Sequence, residues 1–140
     1  MTTSEIANQL QEIANADDFA ARSAALTEAW LSSQVGLDAI EPILGFMEEN
    51  RDIDFGVPGA LVHFVERFYE KGYEQKLIDS LHSKPTPHTV WMLNRIINRT
   101  NSPERKQHFI GEMNELLSHP RTDEATHRVT ELFLNHHRRE

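Results

Sequence analysis

Apolar residues recur three and four positions apart along almost all of this chain, a period that a helix can bury and a strand cannot. The clearest case is Pro85-Thr86-Pro87-His88-Thr89-Val90-Trp91-Met92-Leu93-Asn94-Arg95-Ile96-Ile97-Asn98. Thr86 is placed to cap the first free amides, and Pro87 suits the first helical position, where no amide donor is needed. At about 100° per residue, Met92, Ile96, Thr89, Leu93, Ile97 and Val90 fill one arc of that helix. His88, Trp91, Arg95, Asn94 and Asn98 fill the other. A solvated arc normally carries Lys and Glu. A Trp, an Arg and two amides instead have the composition of an interface anchor. The competing expectation is a central helix, with Trp91 packed on a neighbour and Arg95 and the asparagines tying loop carbonyls together.

The same period, cut by caps and breakers, divides the chain into eight helices. The first starts at Ser4, aligns Ile6, Leu10 and Ile13, and breaks at Asn15-Ala16-Asp17-Asp18. Asp17 or Asp18 can cap a second, with Phe19, Ser23, Leu26 and Trp30 at helical spacing and Gly36 at its end. A third follows Asp38, which has the form of a capping box with Glu41, and buries Ile40, Ile43, Leu44 and Met47. Gly56-Val57-Pro58-Gly59 fixes a tight route into a fourth. There Leu61, Phe64, Val65, Phe68 and Tyr69 lie opposite His63, Glu66, Arg67 and Glu70.

A fifth helix over residues 73–82 buries Leu77, Ile78 and Leu81, and the stretch described first is the sixth. Ser102-Pro103 opens a seventh carrying Phe109, Ile110, Met113, Leu116 and Leu117. Thr122 caps an eighth with Val129, Leu132 and Phe133 inward, and the polar tail from about residue 136 is expected to fray. No window alternates as a strand does. Pair starts at Ser4, Asp38, Tyr73 and Ser102 lie 34, 35 and 29 residues apart. That spacing predicts an all-α fold of antiparallel pairs in a short, right-handed HEAT-like stack, with a compact irregular bundle as the alternative.

At 140 residues the chain is expected to form a single domain, and 39% apolar with 26% charged residues is a globular composition. No apolar run is long enough to span a bilayer, and Met1-Thr2-Thr3-Ser4-Glu5 has no basic or apolar leader region, so a cytoplasmic protein is expected. The absence of cysteine removes disulfides, thiolate metal sites and thiol nucleophiles. The net charge of −8 is unevenly spread. Residues 1–70 hold 13 acidic and 3 basic residues; residues 71–140 hold 9 acidic, 11 basic and seven of the eight histidines. An acidic half argues against nucleic acid and for a cationic protein partner, unless it only solvates the surface.

Chemistry finds little purchase. His63 and Glu66 stand three apart with Glu70 a turn further, and His127 and Glu131 stand four apart. Neither makes a His-Glu-x-x-His arrangement, and solvated His/Glu pairs are common on helices, so no metal or other cofactor is expected. There is no Gly-x-Ser-x-Gly elbow, and residues 56–59 lack the Gly-Lys-Ser/Thr ending of a phosphate loop. No catalytic residue is assigned, and the chain is not expected to be an enzyme. A second binding candidate is the acidic stretch Glu48-Glu49-Asn50-Arg51-Asp52-Ile53-Asp54-Phe55, whose Glu48, Glu49, Asp52 and Asp54 surround apolar Ile53 and Phe55. The plainer expectation is a solvated loop with Phe55 turned inward onto the fourth helix.

Two segments, Asp54-Phe55-Gly56-Val57-Pro58-Gly59-Ala60-Leu61-Val62-His63-Phe64-Val65-Glu66 and Lys84-Pro85-Thr86-Pro87-His88-Thr89-Val90-Trp91-Met92-Leu93-Asn94-Arg95-Ile96-Ile97-Asn98, resemble small all-α, HEAT-like immunity proteins of bacterial contact-dependent and polymorphic toxin systems. The resemblance implies a cytosolic, non-catalytic protein that binds and occludes a cognate toxin domain, in many such systems a basic nuclease. The alternative is a HEAT-like scaffold or adaptor for another cellular protein. The surface predicted to bind joins Glu48, Glu49, Asp52, Asp54, Phe55 and His63 to His88, Trp91, Asn94, Arg95 and Asn98. The polar faces of helices four and six would line one groove, with the acidic loop at its rim.

Overall fold

A computed structural model describes residues 1–139, and all its regular structure is helical. The α-helices are α1 (Thr3–Ile13), α2 (Phe19–Ser32), α3 (Ile40–Glu49), α4 (Ala60–Glu66), α5 (Tyr73–Ser83), α6 (Pro87–Arg99), α7 (Pro103–Glu115) and α8 (Glu124–Arg138). Single 3-10 turns precede α3 (Leu37–Ala39) and follow α7 (Leu116–Ser118). The fold class is therefore all-α, with no strand among the described residues. None of the described helices is long and apolar enough to cross a membrane.

The helix starts divide into those capped as the sequence predicts and those where the capping side chain is engaged elsewhere. Before α6, Thr86 Oγ1 accepts the Thr89 amide and Thr89 Oγ1 accepts the Thr86 amide, both at 3.1 Å, a reciprocal box with Pro87 in the first turn. Ser102 caps α7 by accepting the Arg105 amide at 3.3 Å. Asp18 occupies the cap position of α2, but its carboxylate accepts from Arg22 Nε at 2.7 Å and makes no bond to the helix amides. That bond holds the Asp18 carboxyl below the usual carboxylate range. Its small contribution is therefore present near neutrality and lost as pH falls through the lowered value.

The box predicted from Asp38 and Glu41 does not form, because the 3-10 turn carries Asp38 inside the helical segment and leaves Ala39 at the cap. Glu41 Oε1 instead takes Lys76 Nζ at 2.6 Å. At α8 the cap is Asp123, which accepts the Thr126 amide at 2.9 Å, while Thr122 donates back to the Leu116 carbonyl at 2.8 Å. Helix α4 is a turn shorter than its apolar period suggests, since Glu70 turns left-handed at φ 64°. The amide of Glu70 donates to both carboxylate oxygens of Glu74, at 2.9 and 2.8 Å.

The helices gather into two compact units, Met1–Lys76 and Leu77–Glu140, with the boundary inside α5. In the first unit α1 packs chiefly on α3 and α2 on α4. Ile6 and Leu10 of α1 and Ile40, Ile43 and Met47 of α3 are fully buried. Trp30 of α2 meets Phe64 of α4 edge-on at 5.4 Å, and its indole N–H donates to Gln9 Oε1 at 2.7 Å. The large apolar ring is thus buried with its one polar atom satisfied. A second aromatic knot joins Phe19, Phe46 and Phe55, with centroids 6.0 to 6.2 Å apart.

In the second unit α6 packs on both α7 and α8, burying Val90, Met92, Leu93, Ile96 and Ile97. Helix α8 is rotated from the predicted orientation. Its buried face is Thr126, Thr130, Leu134 and His137, whereas Leu132 is 66% exposed and Val129 and Phe133 are half-buried. The two threonines can turn inward because Thr130 Oγ1 donates to the Thr126 carbonyl at 2.7 Å, leaving mainly methyl groups to pack. The helix continues through Arg138 into the tail expected to fray, and His137 there is 7% exposed and hydrogen-bonded to α6. Glu140 lies outside the described residues.

The route into α4 depends on backbone that only glycine supplies cheaply. Gly56 and Gly59 have φ of 100° and 84°, and a Cβ on Gly59 would collide with the Phe55 carbonyl oxygen. Gly59→Ala should therefore destabilise the protein by about 2–3 kcal/mol, measured by urea unfolding. Gly45→Ala, a helical site with open space around the added methyl, should be neutral or slightly stabilising.

Candidate functional site

The residues predicted to bind fall into two groups, one in each unit. In the first, Glu48 and Glu49 end α3, and Asp52 and Asp54 stand exposed on the loop that follows. Asp54 Oδ1 accepts the Gly56 amide at 2.9 Å, which fixes the loop's turn. Phe55, predicted to bind, is 4% exposed and presents no surface of its own. It is buried between Phe19 and Phe46, because the Gly56–Gly59 turn directs it into the unit's interior and aromatic edges fill its surroundings. The inward turn matches the plainer expectation, and the rings of Phe19 and Phe46 that meet it belong to α2 and α3.

The apolar group presented by this loop is Val57, at 88% exposure. Its sequence neighbourhood reads first as a backbone route, which hides the side chain's role. The signal for exposure is that two glycines flanking a Val-Pro pair leave the valine with nothing to pack against. His63 is exposed on α4, with Nδ1 3.9 Å from Glu66 Oε1, and Glu66 also accepts the Tyr69 hydroxyl at 2.9 Å. That engagement gives Glu66 a structural role.

In the second unit His88, Trp91 and Arg95 form a half-buried run along α6. The His88 and Trp91 rings are 5.3 Å apart, and the Arg95 guanidinium carbon lies 5.2 Å from the Trp91 centroid, within cation–π range. Asn94 behaves differently from its neighbours. It is 8% exposed, and its Oδ1 is bonded to His137 Nε2 at 2.7 Å. Its placement in the predicted binding set is corrected to this extent: the carbonyl end is structural and holds α8 to α6. Asn94 and exposed Asn98 also border an open cleft of about 420 Å³ between α6 and α8, closed on the other side by Leu132, Phe133, Asn135, His136 and Arg139.

The unit boundary also divides the charge. Residues 1–76 carry 14 acidic and five basic residues, a net of −9; residues 77–140 carry eight and nine, a net of +1. The acidic field thus belongs to the unit that carries the Asp52–Val57 loop. Comparison with protein-family models, with curated proteins and with solved structures finds no match to this chain.

The two asparagines should separate cleanly on substitution. Asn94→Ala leaves a buried histidine nitrogen without its acceptor and should cost about 1–3 kcal/mol. Asn98→Ala, at an exposed position, should fall within about 0.5 kcal/mol of the parent. Chemical denaturation of both variants checks the difference.

Proposed function

We propose that this chain is a non-catalytic binding protein that neutralises a cationic protein partner by covering it. The resemblance of residues 54–66 and 84–98 to immunity proteins narrows that partner to a cognate bacterial toxin domain, met in the cytosol. The observation that carries the reading is the net charge of −9 on the first unit, with an exposed valine on the same loop as Asp52 and Asp54. Asp52 and Asp54 supply a field that orients a basic surface at a distance. Val57 supplies an apolar group that loses water on contact.

The site has the character of a docking surface. Its ionisable groups are the carboxylates, Arg51 and the exposed His63, and among the described residues no serine or cysteine nucleophile is placed with them. A cationic toxin would be held by complementary charge around a small apolar centre, its own active groups excluded from substrate by the bulk of the chain.

The test is twofold. A strain lacking this chain, grown beside siblings that deliver the cognate toxin, should lose viability, and resupplying the chain should restore it. In the restored strain, Asp52→Lys with Asp54→Lys should slow association with the purified toxin domain by about tenfold at low ionic strength. The difference should shrink as salt is raised. Full protection with unchanged association kinetics would move the interface off this loop; no loss of viability on deletion would defeat the neutralising role itself.

A further inference from the structure

We infer that the second unit carries a site for a divalent transition-metal cation of the zinc class, formed by His82, Glu112 and Glu115. His82 lies in the last turn of α5, while Glu112 and Glu115 lie one turn apart on α7. One ligand atom from each side chain lies within 4.8 Å of the other two. His82 Nε2 and Glu112 Oε2 are already 2.7 Å apart. This assignment is independent of the neutralising role proposed above and draws on none of its residues.

The donor set selects the cation. One imidazole nitrogen with two carboxylate oxygens is a borderline set: too rich in nitrogen for calcium or magnesium, and without the thiolates that copper(I) prefers. Zinc accepts three such ligands and completes its shell with water. Glu112 retains 19% of its side-chain exposure, and His82 and Glu115 are exposed, so the remaining positions would face solvent. Ligand-to-metal distances of about 2.1 Å put neighbouring donors roughly 3.4 Å apart. The cation would therefore replace the His82–Glu112 hydrogen bond, parting those two atoms slightly and drawing Glu115 in. Exposed Glu115 can do this by rotating its own side chain.

The backbone that carries the ligands is held in place. His119 Nε2–H donates to the His82 carbonyl at 2.6 Å, and its Nδ1 accepts the Arg121 amide at 3.0 Å. Arg121 in turn donates to the Ser83 carbonyl at 3.1 Å. The end of α5 is thus tied to the segment after α7 by two side-chain bonds, which fixes the histidine's position relative to the two glutamates. Both nitrogens of His119 are already bonded, so it is a support and not a fourth ligand. The carboxylates also lack a competing cation: among the described residues no Lys or Arg forms an ion pair with Glu112 or Glu115. Among the described residues the pairs suspected from sequence do not converge in this way; His127 meets Glu131 at 3.1 Å with no third ligand beside them.

Calorimetric titration of the metal-free chain with Zn²⁺ tests the assignment. One cation per chain is expected. His82→Ala and Glu115→Gln should each weaken binding by at least about tenfold, while His127→Ala leaves it unchanged. Glu115 is exposed, and among the described residues no hydrogen bond or ion pair holds its side chain, so Glu115→Gln should keep the far-ultraviolet circular dichroism of the parent. Co²⁺ should give visible d–d bands in the parent and lose them in Glu115→Gln. Absence of one-site binding would overturn the proposal. So would affinity unmoved by His82→Ala and Glu115→Gln, or binding abolished by His136→Ala in their place.

Discussion

The bond from His137 Nε2 to Asn94 Oδ1, 2.7 Å long and buried, sets how the last helix is seated, and the surface of the second unit follows from it. Burying a histidine and an asparagine is costly unless polar atoms find partners, and Nε2 and Oδ1 find each other here. Once His137 is committed to α6, helical geometry brings Leu134, Thr130 and Thr126 inward behind it, at spacings of three, four and four. Leu132 must then point outward. The cleft beside Asn94, and the apolar wall that Leu132 and Phe133 give it, result from choosing a polar inner face over an apolar one.

That choice also explains what could be read from the sequence. Apolar period located all eight helices, and the chemistry of Thr86, Ser102 and the flanking prolines fixed two of their starts. For α8 the same method chose the wrong face. It scores Val129, Leu132 and Phe133 as inward and threonine as outward, and it cannot see that a threonine hydroxyl bonded to its own helix leaves an apolar methyl group. Caps failed where a side chain had two partners to choose between. Asp18 took Arg22 and Glu41 took Lys76, and the second of those pairs spans 35 residues, beyond any local rule.

The candidate sites were legible to very different degrees. The acidic stretch was visible as composition, but which of its apolar residues faces solvent was not. Phe55 has two rings to pack against, and Val57, between glycines, has none. The α6 stripe was visible as a helical arc, but Asn94 and Asn98 look alike in sequence and differ only in whether α8 reaches them. His82, Glu112 and Glu115 were invisible, because thirty residues separate the histidine from the first glutamate. Only the packing of α5 and α7 brings them together.

Charge and contact do different work in the functional reading. A net of −9 on one unit raises encounter with any basic surface, but exposed carboxylates in high dielectric discriminate poorly between basic partners. Discrimination needs groups that lose water on binding and fit one shape. The Asp52–Val57 loop combines both within a few residues: carboxylates at its start, a backbone turn held by Asp54 and the two glycines, and a valine held out by that turn. The more such a turn is fixed before docking, the less conformational entropy it gives up, and the more of a small apolar contact's value it keeps. In the proposed reading, the backbone that Gly56 and Gly59 permit would serve the docking surface as well as the entry into α4.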